Sequence, residues 1–439
     1  MPDSTEEPST RKSHSGIFLG MLAGVLAGAA VHVFSIDSVT VASVVSFVRP
    51  VGEIFLRLIF MMVIPLIISA LALGVSDLGD IRKVGRVGVR TLGFAILVSG
   101  LSVAIGVTAV EVFRPGENLT AEEQRSLIEQ YGGASSKLEQ SVQSEKGFGD
   151  FLSSIVPRNP LEEMVHAFDP SHKGGGLLSI MFFALMVGVA LIIADRSRVS
   201  ALRGFLEGVY EVSLQIIALG MKLAPFGVAA LLFTTIATLG ISVFAVVLQF
   251  VVLVLCALAF HQFVTYSFLI RFLGKMNPVV FFQKIAEVMV TAFSTSSSNA
   301  TLPVAIRVSI EKLKLPRDIT HFVLTIGSTA NQNGTALYEG IAVLFIAQCF
   351  GVELDLSAKI LVVFLAVLGG IGTAGVPGGS LPVIMLILVT IGIPAEGIGI
   401  IYGIDRILDM SRTVLNVTGD IAAAVYVSRT EGMKEKSFP

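Results

Sequence analysis

A charged run near the C-terminus carries the residues best suited to chemistry. Asp405, Asp409, Arg412, Asn416 and Asp420 follow one another at spacings of four, three, four and four, so in a helix they share one face. Apolar residues fill the positions between them, and charged groups at membrane depth usually face a cavity rather than lipid. The pattern predicts a polar site inside a membrane. The alternatives are a solvated charge stripe on a helix that has left the membrane, or a structural salt-bridge network.

The composition of the whole chain favours a membrane protein. Of 439 residues, 53% are hydrophobic and 15% are charged, and the mean hydropathy is +0.81. These values are typical of an all-α polytopic membrane protein. A net charge of −2 argues against a nucleic-acid partner. Cys256 and Cys349 both lie in apolar runs, which indicates neither a disulfide framework nor a cysteine metal site.

Apolar segments predict eight transmembrane spans joined by short loops. We expect spans near residues 16–34, 54–73, 91–110, 177–194, 209–238, 242–269, 322–347 and 394–428. Lys/Arg-rich loops at 82–90, 196–203, 271–275 and 307–317 then fall on one side together with both termini. That side is cytoplasmic by the positive-inside rule, so we expect a multi-pass protein of the cell (inner) membrane. The first 14 residues show no cleavable signal pattern.

Two further segments, 276–316 and 356–393, must enter and leave the membrane on their own side for the loop charges to alternate. Each is an apolar stretch interrupted by small or polar residues, at 294–303 and at 369–380. Irregular backbone cannot face hydrocarbon, and a pair of interrupted segments indicates a transporter site near the midplane. We therefore predict two re-entrant helical hairpins. A flexible serine-rich loop and a tightly packed glycine-rich helix pair are the alternatives.

The span between the two hairpins is itself interrupted, at 327–335. Unwound backbone there would free carbonyl groups, which together with Asn side chains suit a hard cation such as Na⁺. Asn416 and Asp420 of the last helix would add oxygens and one negative charge. The residues alone therefore predict a combined solute and ion site.

Four motifs in residues 276–428 resemble the dicarboxylate/amino acid:cation symporter family, the glutamate transporter homologues. They are Ala-Thr-Leu-Pro at 300–303, Asn-x-x-Gly-Thr-Ala-Leu-Tyr at 331–338, Gly-Thr-Ala-Gly-Val-Pro-Gly at 372–378 and Asp-x-x-Arg-Thr-x-x-Asn-Val-x-Gly-Asp at 409–420. The resemblance implies a homotrimer in which each protomer has a static scaffold and a mobile transport domain. That domain carries the solute across the bilayer as an elevator.

The same resemblance implies the domain boundaries. We expect cytoplasmic tails at 1–14 and 429–439, scaffold at 15–79 and 150–240, an extracellular polar loop at 114–149, and the transport domain at 80–113 and 241–428. Within the last range lie span 6, the hairpin 276–316, the broken span 317–347, the hairpin 356–393 and the span 394–428.

The resemblance also implies roles in binding an acidic amino acid. Arg412 would hold the side-chain carboxylate through its planar fork, although it could instead form an internal ion pair with Asp409. Asp409 would accept from the α-ammonium group, and an acidic residue there favours an amino acid over a plain dicarboxylate. Polar groups of other segments would complete the contacts: Asn416, Thr335, Ser298 and the backbone from Val376 to Gly379.

The coupling ions are expected to be Na⁺, H⁺ or both. A first cation site would use Gly327, Asn331, Asn416 and Asp420. A second would be weakened, because the family's Asn-Met-Asp-Gly-Thr reads Asn-Gln-Asn-Gly-Thr at 331–335. The Asp-to-Asn change at Asn333 removes a Coulomb term of about 4 kcal/mol at ~4 Å and an effective dielectric near 20. The altered positions are Asn333 and Gln332, with Ser99 beside Ala95 and Val98, where the family tends to have Tyr, Thr and Ser.

Glu339 follows Tyr338 at a position where the resembling animal transporters carry a proton-binding Glu. We expect it to load and release protons; a structural hydrogen bond is the alternative. The predicted function is thus symport of aspartate or glutamate with cations, without enzymatic residues, cofactor or transition metal. A C4-dicarboxylate symporter of the same fold is the second hypothesis. A serine-nucleophile membrane enzyme is disfavoured because no His lies in a comparable polar cluster, and a chloride conductance would be a side activity.

Overall fold

The architecture is taken from a computed structural model that describes residues 8–34, 37–78, 86–131, 156–167, 177–239, 241–372, 379–402 and 404–432. Within these ranges the regular structure is helical and contains no strand. The all-α prediction is therefore confirmed for this part of the chain.

The helices before the first hairpin are α1 (Pro8–Val33), α2 (Ser38–Phe60), α3 (Val63–Leu78), α4 (Arg86–Phe113), α5 (Ala121–Tyr131), α6 (Pro160–Val165), α7 (Leu177–Ile193), α8 (Arg196–Leu239), α9 (Ile241–Phe260) and α10 (Tyr266–Phe272). A 3₁₀ turn at Pro115–Asn118 follows α4, and a π-helical turn at His261–Thr265 joins α9 to α10. The remaining helices are α11 (Pro278–Thr295), α12 (Ser298–Glu311), α13 (Arg317–Ala330), α14 (Asn333–Cys349), α15 (Leu356–Gly372), α16 (Leu381–Thr390), α17 (Gly399–Tyr402) and α18 (Asp405–Thr430), with a 3₁₀ turn at Ala395–Ile398.

A first group of helices packs around the long helix α8, which contacts α1, α2 and α3, while α7 packs on α3. The α1–α8 contact is close because α1 presents glycine every fourth residue. A Cβ on Gly20 would collide with the Pro225 carbonyl, and one on Gly24 would lie 2.5 Å from the Ala229 oxygen. Small residues let membrane helices approach each other in this way.

A second group packs around α14, in which every residue is buried. Helix α14 contacts α4, α15 and α18, and α18 in turn contacts α11, α12 and α13. The two groups meet through contacts of α8 with α9 and of α3 with α15. The buried α14 thus carries its polar N-terminal residues into the interior of this group.

The first predicted hairpin contains α11 and α12, which pack on each other. They run antiparallel, since Glu287 of α11 pairs with Arg307 and lies 2.8 Å from the Lys312 Nζ atom at the end of α12. The interruption is shorter than the expected 294–303. Ser296 takes a left-handed conformation and ends α11, and Ser297 caps α12 by accepting from the Ala300 N–H at 3.2 Å.

The rest of the Ser/Thr run stays helical, because a hydroxyl group can bond the carbonyl one turn back. Ser294 Oγ donates to the Val290 oxygen at 2.9 Å. In the second hairpin, α15 continues through Gly372 and α16 begins at Leu381. The expectation that the interruption begins at Gly369 was therefore wrong, and residues 373–378, with Val376, lie outside the described part.

The second predicted span, 54–73, also had wrong bounds. The chain is helical from Ser38 and breaks at Met61 and Met62, between α2 and α3. Pro65 explains the position, since proline has no N–H to bond the carbonyl four residues earlier and its ring clashes with that residue. The broken span likewise leaves helical geometry only at Asn331 and Gln332.

The segment 196–203, expected as a loop, is the start of α8. Asp195 begins this helix by accepting from the Ser197 N–H at 3.0 Å and the Ser197 hydroxyl at 2.8 Å. The side-chain hydrogen bond from Ser197 lowers the pKa of the Asp195 carboxyl. Such a cap satisfies N–H groups that have no partner within the helix. The other predicted basic loops also include helix ends, at Arg86, Arg90, Arg271 and Arg307.

Two of the described helical segments are long and apolar enough to cross a membrane, Arg86–Asn118 and Phe244–Phe272. A third qualifies if Arg196–Ile217 and Lys222–Thr238, which meet at 55°, form one bent span. Pro225 accounts for this bend, because it removes one hydrogen bond and crowds the preceding turn. Shorter apolar helices include Ser179–Ile193 and Leu356–Ile371. Length and composition therefore identify membrane-spanning helices without establishing all eight predicted spans.

Candidate functional site

The polar face of α18 is buried. Asp405, Asp409, Arg412, Asn416 and Asp420 are each at most 6% exposed. This excludes a solvated charge stripe, one of the alternatives that the sequence left open. Buried charges require partners, so the contacts of these five side chains define the site.

Arg412 pairs with two carboxylates of its own helix. Its Nη1 atom donates to Asp405 Oδ1 at 2.9 Å, and its Nε atom donates to Asp409 Oδ1 at 3.1 Å. The Tyr338 ring of α14 lies against the guanidinium group, with 4.4 Å between the ring centroid and Cζ. The internal ion pair between Arg412 and Asp409 is thus present, and the pairing and stacking hold the guanidinium group in place.

Several buried polar atoms near these helices lack a hydrogen-bond partner within the described part of the chain. Arg412 Nη2 lies 2.9 Å from Asp409 Oδ1 but outside hydrogen-bond geometry. Ser298 Oγ at the start of α12 and Ser380 Oγ just before α16 also have none. Each such group costs about 1–3 kcal/mol unless a ligand or water bonds it. Arg412 Nη2 and the serine hydroxyls are donors of the kind that a carboxylate group accepts from.

Asn416 holds the start of α14. Its Oδ1 atom accepts from the Gly334 N–H at 2.7 Å and from the Thr335 N–H at 3.3 Å. Its Nδ2 atom donates to Thr335 Oγ1 at 3.0 Å and to Gln332 Oε1. The structure therefore brings Asn416 and Thr335 together, one turn from Arg412. The Asn416 carboxamide satisfies N–H groups that have no partner within α14.

Asp420 lies beside the break between α13 and α14. Its Oδ1 atom accepts from Asn331 Nδ2 at 2.9 Å, and a Cβ on Gly327 would lie 2.5 Å from the same oxygen. Asn331 Oδ1 is buried without a hydrogen-bond partner among the described residues. Gly327, Asn331 and Asp420 are therefore adjacent, and the arrangement of one carboxylate and one uncommitted amide oxygen fits a hard cation. The Asn416 carboxamide, by contrast, is directed to α14.

Asn333 lies in a neutral hydrogen-bond network. Its Oδ1 atom accepts from Ser99 Oγ, its Nδ2 atom donates to Tyr266 OH at 3.0 Å, and its backbone oxygen accepts from Ser102 Oγ at 2.9 Å. Tyr266 OH also donates to the Leu415 oxygen at 3.1 Å. Both polar atoms of the Asn333 side chain are thus engaged by uncharged partners. Gln332 is also engaged, since its Nε2 atom donates to the Ser328 oxygen at 2.8 Å.

Glu339 is fully buried in α14. A Cβ on Gly369 would lie 2.8 Å from its Oε2 atom, so the carboxyl group faces α15 close to the second interruption. A change in the charge of this carboxyl group would therefore act on the last turn of α15, next to the interruption.

The sequence reasoning missed three residues of this site as functional candidates: Tyr338, Tyr266 and Ser102. Asp405 was placed on the same helical face as Arg412, but no specific role was predicted for it. Tyr266 lies in a polar stretch of the predicted span 242–269, beside Gln262, Thr265 and Ser267, so its hydroxyl group does not stand out in the sequence. Tyr338 and Ser102 acquire their roles only through packing against α18 and α14.

Membrane-spanning helices, interrupted helices and a buried charged site together place the protein in the class of polytopic membrane transporters. The chain belongs to the Sodium:dicarboxylate symporter family, whose model matches residues 14–430. This confirms the family resemblance inferred from the four motifs.

Curated relatives support the same family across nearly the whole chain. The protein is 35% identical over 418 residues to the proton/sodium-glutamate symport protein of Bacillus subtilis (strain 168), covering 95% of this chain and 92% of the relative. It is 32% identical over 416 residues to the proton/glutamate-aspartate symporter of Escherichia coli (strain K12), covering 94% and 92%. Human excitatory amino acid transporter 5 is 29% identical over 427 residues, covering 87% of this chain and 76% of the relative.

Proposed function

We propose that this protein is a secondary active transporter that moves aspartate or glutamate across the cell membrane in symport with cations. The observation that carries the proposal is the buried Arg412, held by Asp405 and Asp409 with Nη2 still available for hydrogen bonding. Family membership and the names of the bacterial relatives, which are glutamate and glutamate-aspartate symporters, support the same substrate class.

Arg412 binds the side-chain carboxylate of the substrate, because a guanidinium group offers paired donors to a carboxylate. Asp409 accepts from the α-ammonium group. Both side chains are buried, so the interactions are only weakly screened by water. The α-carboxylate is held by Ser298 and by the backbone from Val376 to Gly379, of which residues 376–378 lie outside the described part of the chain. Asn416 and Thr335 complete the polar contacts.

The charge balance of the site explains why a cation accompanies the substrate. Arg406 pairs with Asp409 across 3.4 Å, so the buried set of Asp405, Asp409, Arg406 and Arg412 is neutral overall. Aspartate or glutamate adds one net negative charge. Asp420 is a further buried negative charge, so a cation at Gly327, Asn331 and Asp420 offsets one of the two net negative charges that the occupied site would hold.

Na⁺ coupling is weaker in this protein than in a transporter that carries the family's Asn-Met-Asp-Gly-Thr sequence. Asn333 bonds neutral partners instead of presenting a carboxylate, and Ala95 and Val98 contribute no side-chain oxygen on the α4 face that carries Ser99. Protons are the second coupling ion, and Glu339 carries them. Its carboxyl group lies against Gly369 of α15, so protonation or deprotonation changes the charge next to that helix.

The transporter works as a homotrimer in the cell (inner) membrane, with eight spans, two re-entrant hairpins and both termini in the cytoplasm. The helix group around α8 is the scaffold, and the group around α14 moves as the elevator-type transport domain. The separate packing of these two groups supports this arrangement.

Equilibrium displacement of labelled aspartate from purified protein, at several Na⁺ concentrations and pH values, tests the substrate class. Unlabelled aspartate and glutamate should displace the label, whereas succinate and malate should not, because neither carries an ammonium group for Asp409. Displacement by succinate as effective as by aspartate would instead establish the C4-dicarboxylate symporter.

A further inference from the structure

A cavity of about 340 Å³ lies in the helix group around α8, far along the chain from the residues of the transport site. It forms where the ends of α3 and α7 meet the first two turns of α8. Four residues of α8 line it at helical spacing, namely Arg196, Val199, Ser200 and Arg203. Because positions separated by three, four and seven residues share one helix face, both guanidinium groups are directed to the same side.

The structure fixes the position of one of these guanidinium groups. Arg203 Nη1 donates to Ser76 Oγ of α3 at 3.3 Å, and Arg203 Nε donates to Glu207 Oε1 at 2.9 Å. Ser76 also lines the cavity and is buried. Two guanidinium groups and two serine hydroxyls are donors suited to a phosphate group.

The opposite wall of the cavity is aliphatic. Leu191 and Ile192 of α7 line it, and the next residue of that helix, Ile193, is 72% exposed. A small soluble anion would leave this apolar surface uncovered. A ligand with an anionic head and hydrocarbon chains would cover it.

We propose that this cavity binds the phosphate headgroup of an anionic glycerophospholipid, with its acyl chains along α7 and α8. Arg196 and Arg203 hold the phosphate, Ser76 and Ser200 add hydroxyl contacts, and Leu191 and Ile192 contact the chains. Basic pockets between membrane helices are a recurring way of recognising lipid headgroups. The ligand would sit at the static helix group and need not move with substrate.

The test is lipid binding to the purified full-length protein in detergent, measured by native mass spectrometry. Phosphatidylglycerol is titrated against phosphatidylcholine with the same acyl chains. The paired variant Arg196→Gln with Arg203→Gln should weaken phosphatidylglycerol binding about thirty-fold, from roughly five-fold for each basic residue at a membrane surface. The control is Arg198→Gln, which removes one positive charge from an exposed position outside the cavity and should weaken binding far less than either single arginine variant, because Arg198 cannot contact a headgroup inside the cavity.

A second variant changes the space inside the cavity without changing its charge. It therefore tests the proposal even if the arginine variants fail to fold. Ser200 is exposed and lines the cavity, so Ser200→Phe should fill it, leave the arginines in place and still abolish specific binding. The proposal is overturned if Ser200→Phe or the paired variant binds phosphatidylglycerol as the wild type does. Equal loss in Arg198→Gln, equal binding of phosphatidylcholine, or displacement of lipid by millimolar inorganic phosphate would also overturn it.

Discussion

Arg412 illustrates how a buried guanidinium group can serve both stability and recognition. Two carboxylates of its own helix neutralise it, and the Tyr338 ring lies against it. Breaking a buried ion pair by removing one partner usually costs about 3–5 kcal/mol, because the other charge is left unpaired. A substrate carboxylate therefore joins an arrangement that is already ordered, which lowers the entropic cost of binding.

Replacing Arg412 with Thr should abolish aspartate binding while the protein remains folded. We expect a loss of about 2–5 kcal/mol, the usual cost of truncating one partner of a buried charged hydrogen bond. Equilibrium binding measures the loss, and size-exclusion chromatography checks the assembly. Arg317→Thr is the matched control, because Arg317 is exposed at the start of α13. Near-wild-type binding by the Arg412 variant would remove this residue from the substrate site.

Glu339→Gln should flatten the pH dependence of uptake. Glutamine resembles the neutral, protonated carboxyl group, so the variant can neither load nor release a proton at this position. The measurement is initial aspartate uptake in proteoliposomes between pH 5.5 and 8.5, a range of about three units around the neutral pH at which intramembrane carboxyls exchange protons. Glu396→Gln, at an exposed position, is the control. An unchanged pH profile would mean that Glu339 has only a structural role.

At the scale of elements, close contacts between helices determine at which glycines an added side chain would destabilise the protein. A Cβ on Gly24 would lie 2.5 Å from the Ala229 oxygen, whereas one on Gly204 of α8 would meet no atom within 4 Å. Gly24→Ala should therefore lower the unfolding temperature in detergent, since overpacking costs about 1–3 kcal/mol. Gly204→Ala should be neutral or stabilising by up to about 1 kcal/mol through helix propensity. Equal effects of the two changes would contradict the close α1–α8 contact.

The second interruption is expected to be the gate of the transporter. Six glycines lie between 369 and 379, and three of them are in the last turn of α15. Each lowers helix stability by about 1 kcal/mol relative to Ala, so we expect this turn to unwind when the gate opens. Aspartate should protect a Val376→Cys variant from a membrane-impermeant thiol reagent added outside. Labelling of the native cysteines should be low, because Cys349 is buried and the additional change Cys256→Ser removes the exposed thiol. Equal labelling with and without aspartate would argue against a gate.

At the scale of the whole molecule, the number of coupled ions follows from how many cation sites keep their charge. Asp420 retains one carboxylate, while Asn333 has exchanged a carboxylate for a hydrogen-bonded amide. The logarithm of aspartate affinity plotted against the logarithm of Na⁺ concentration should have a slope of about one or less, and uptake should continue on a pH gradient alone. Asn333→Asp should steepen the slope, and Asn118→Asp, in the 3₁₀ turn after α4, controls for added charge. A wild-type slope near three would refute weakened Na⁺ coupling.

The sequence by itself determined the class, the family and the candidate residues. Extreme apolarity restricts the chain to membrane helices, and the spacing of Asp405 to Asp420 places five polar side chains on one face whatever surrounds the helix. The polar residues of the serine run and of 327–335 also predicted that the helices are interrupted there. The bounds of the helices were less predictable. Pro65 interrupts the helix one turn before its own position, and Asp195 begins α8 where the sequence predicted a loop at 196–203.

Only the tertiary structure decided which of these groups bond one another. Asn416 caps α14 from another helix, Tyr266 meets Asn333 across 67 positions of sequence, and Arg412 stacks on Tyr338. No local pattern encodes these contacts, since they depend on how helices cross and on small residues such as Gly327 that permit close approach. A buried polar atom needs a partner from whichever element lies nearest, and the packing of α14 among its neighbours determines which element that is.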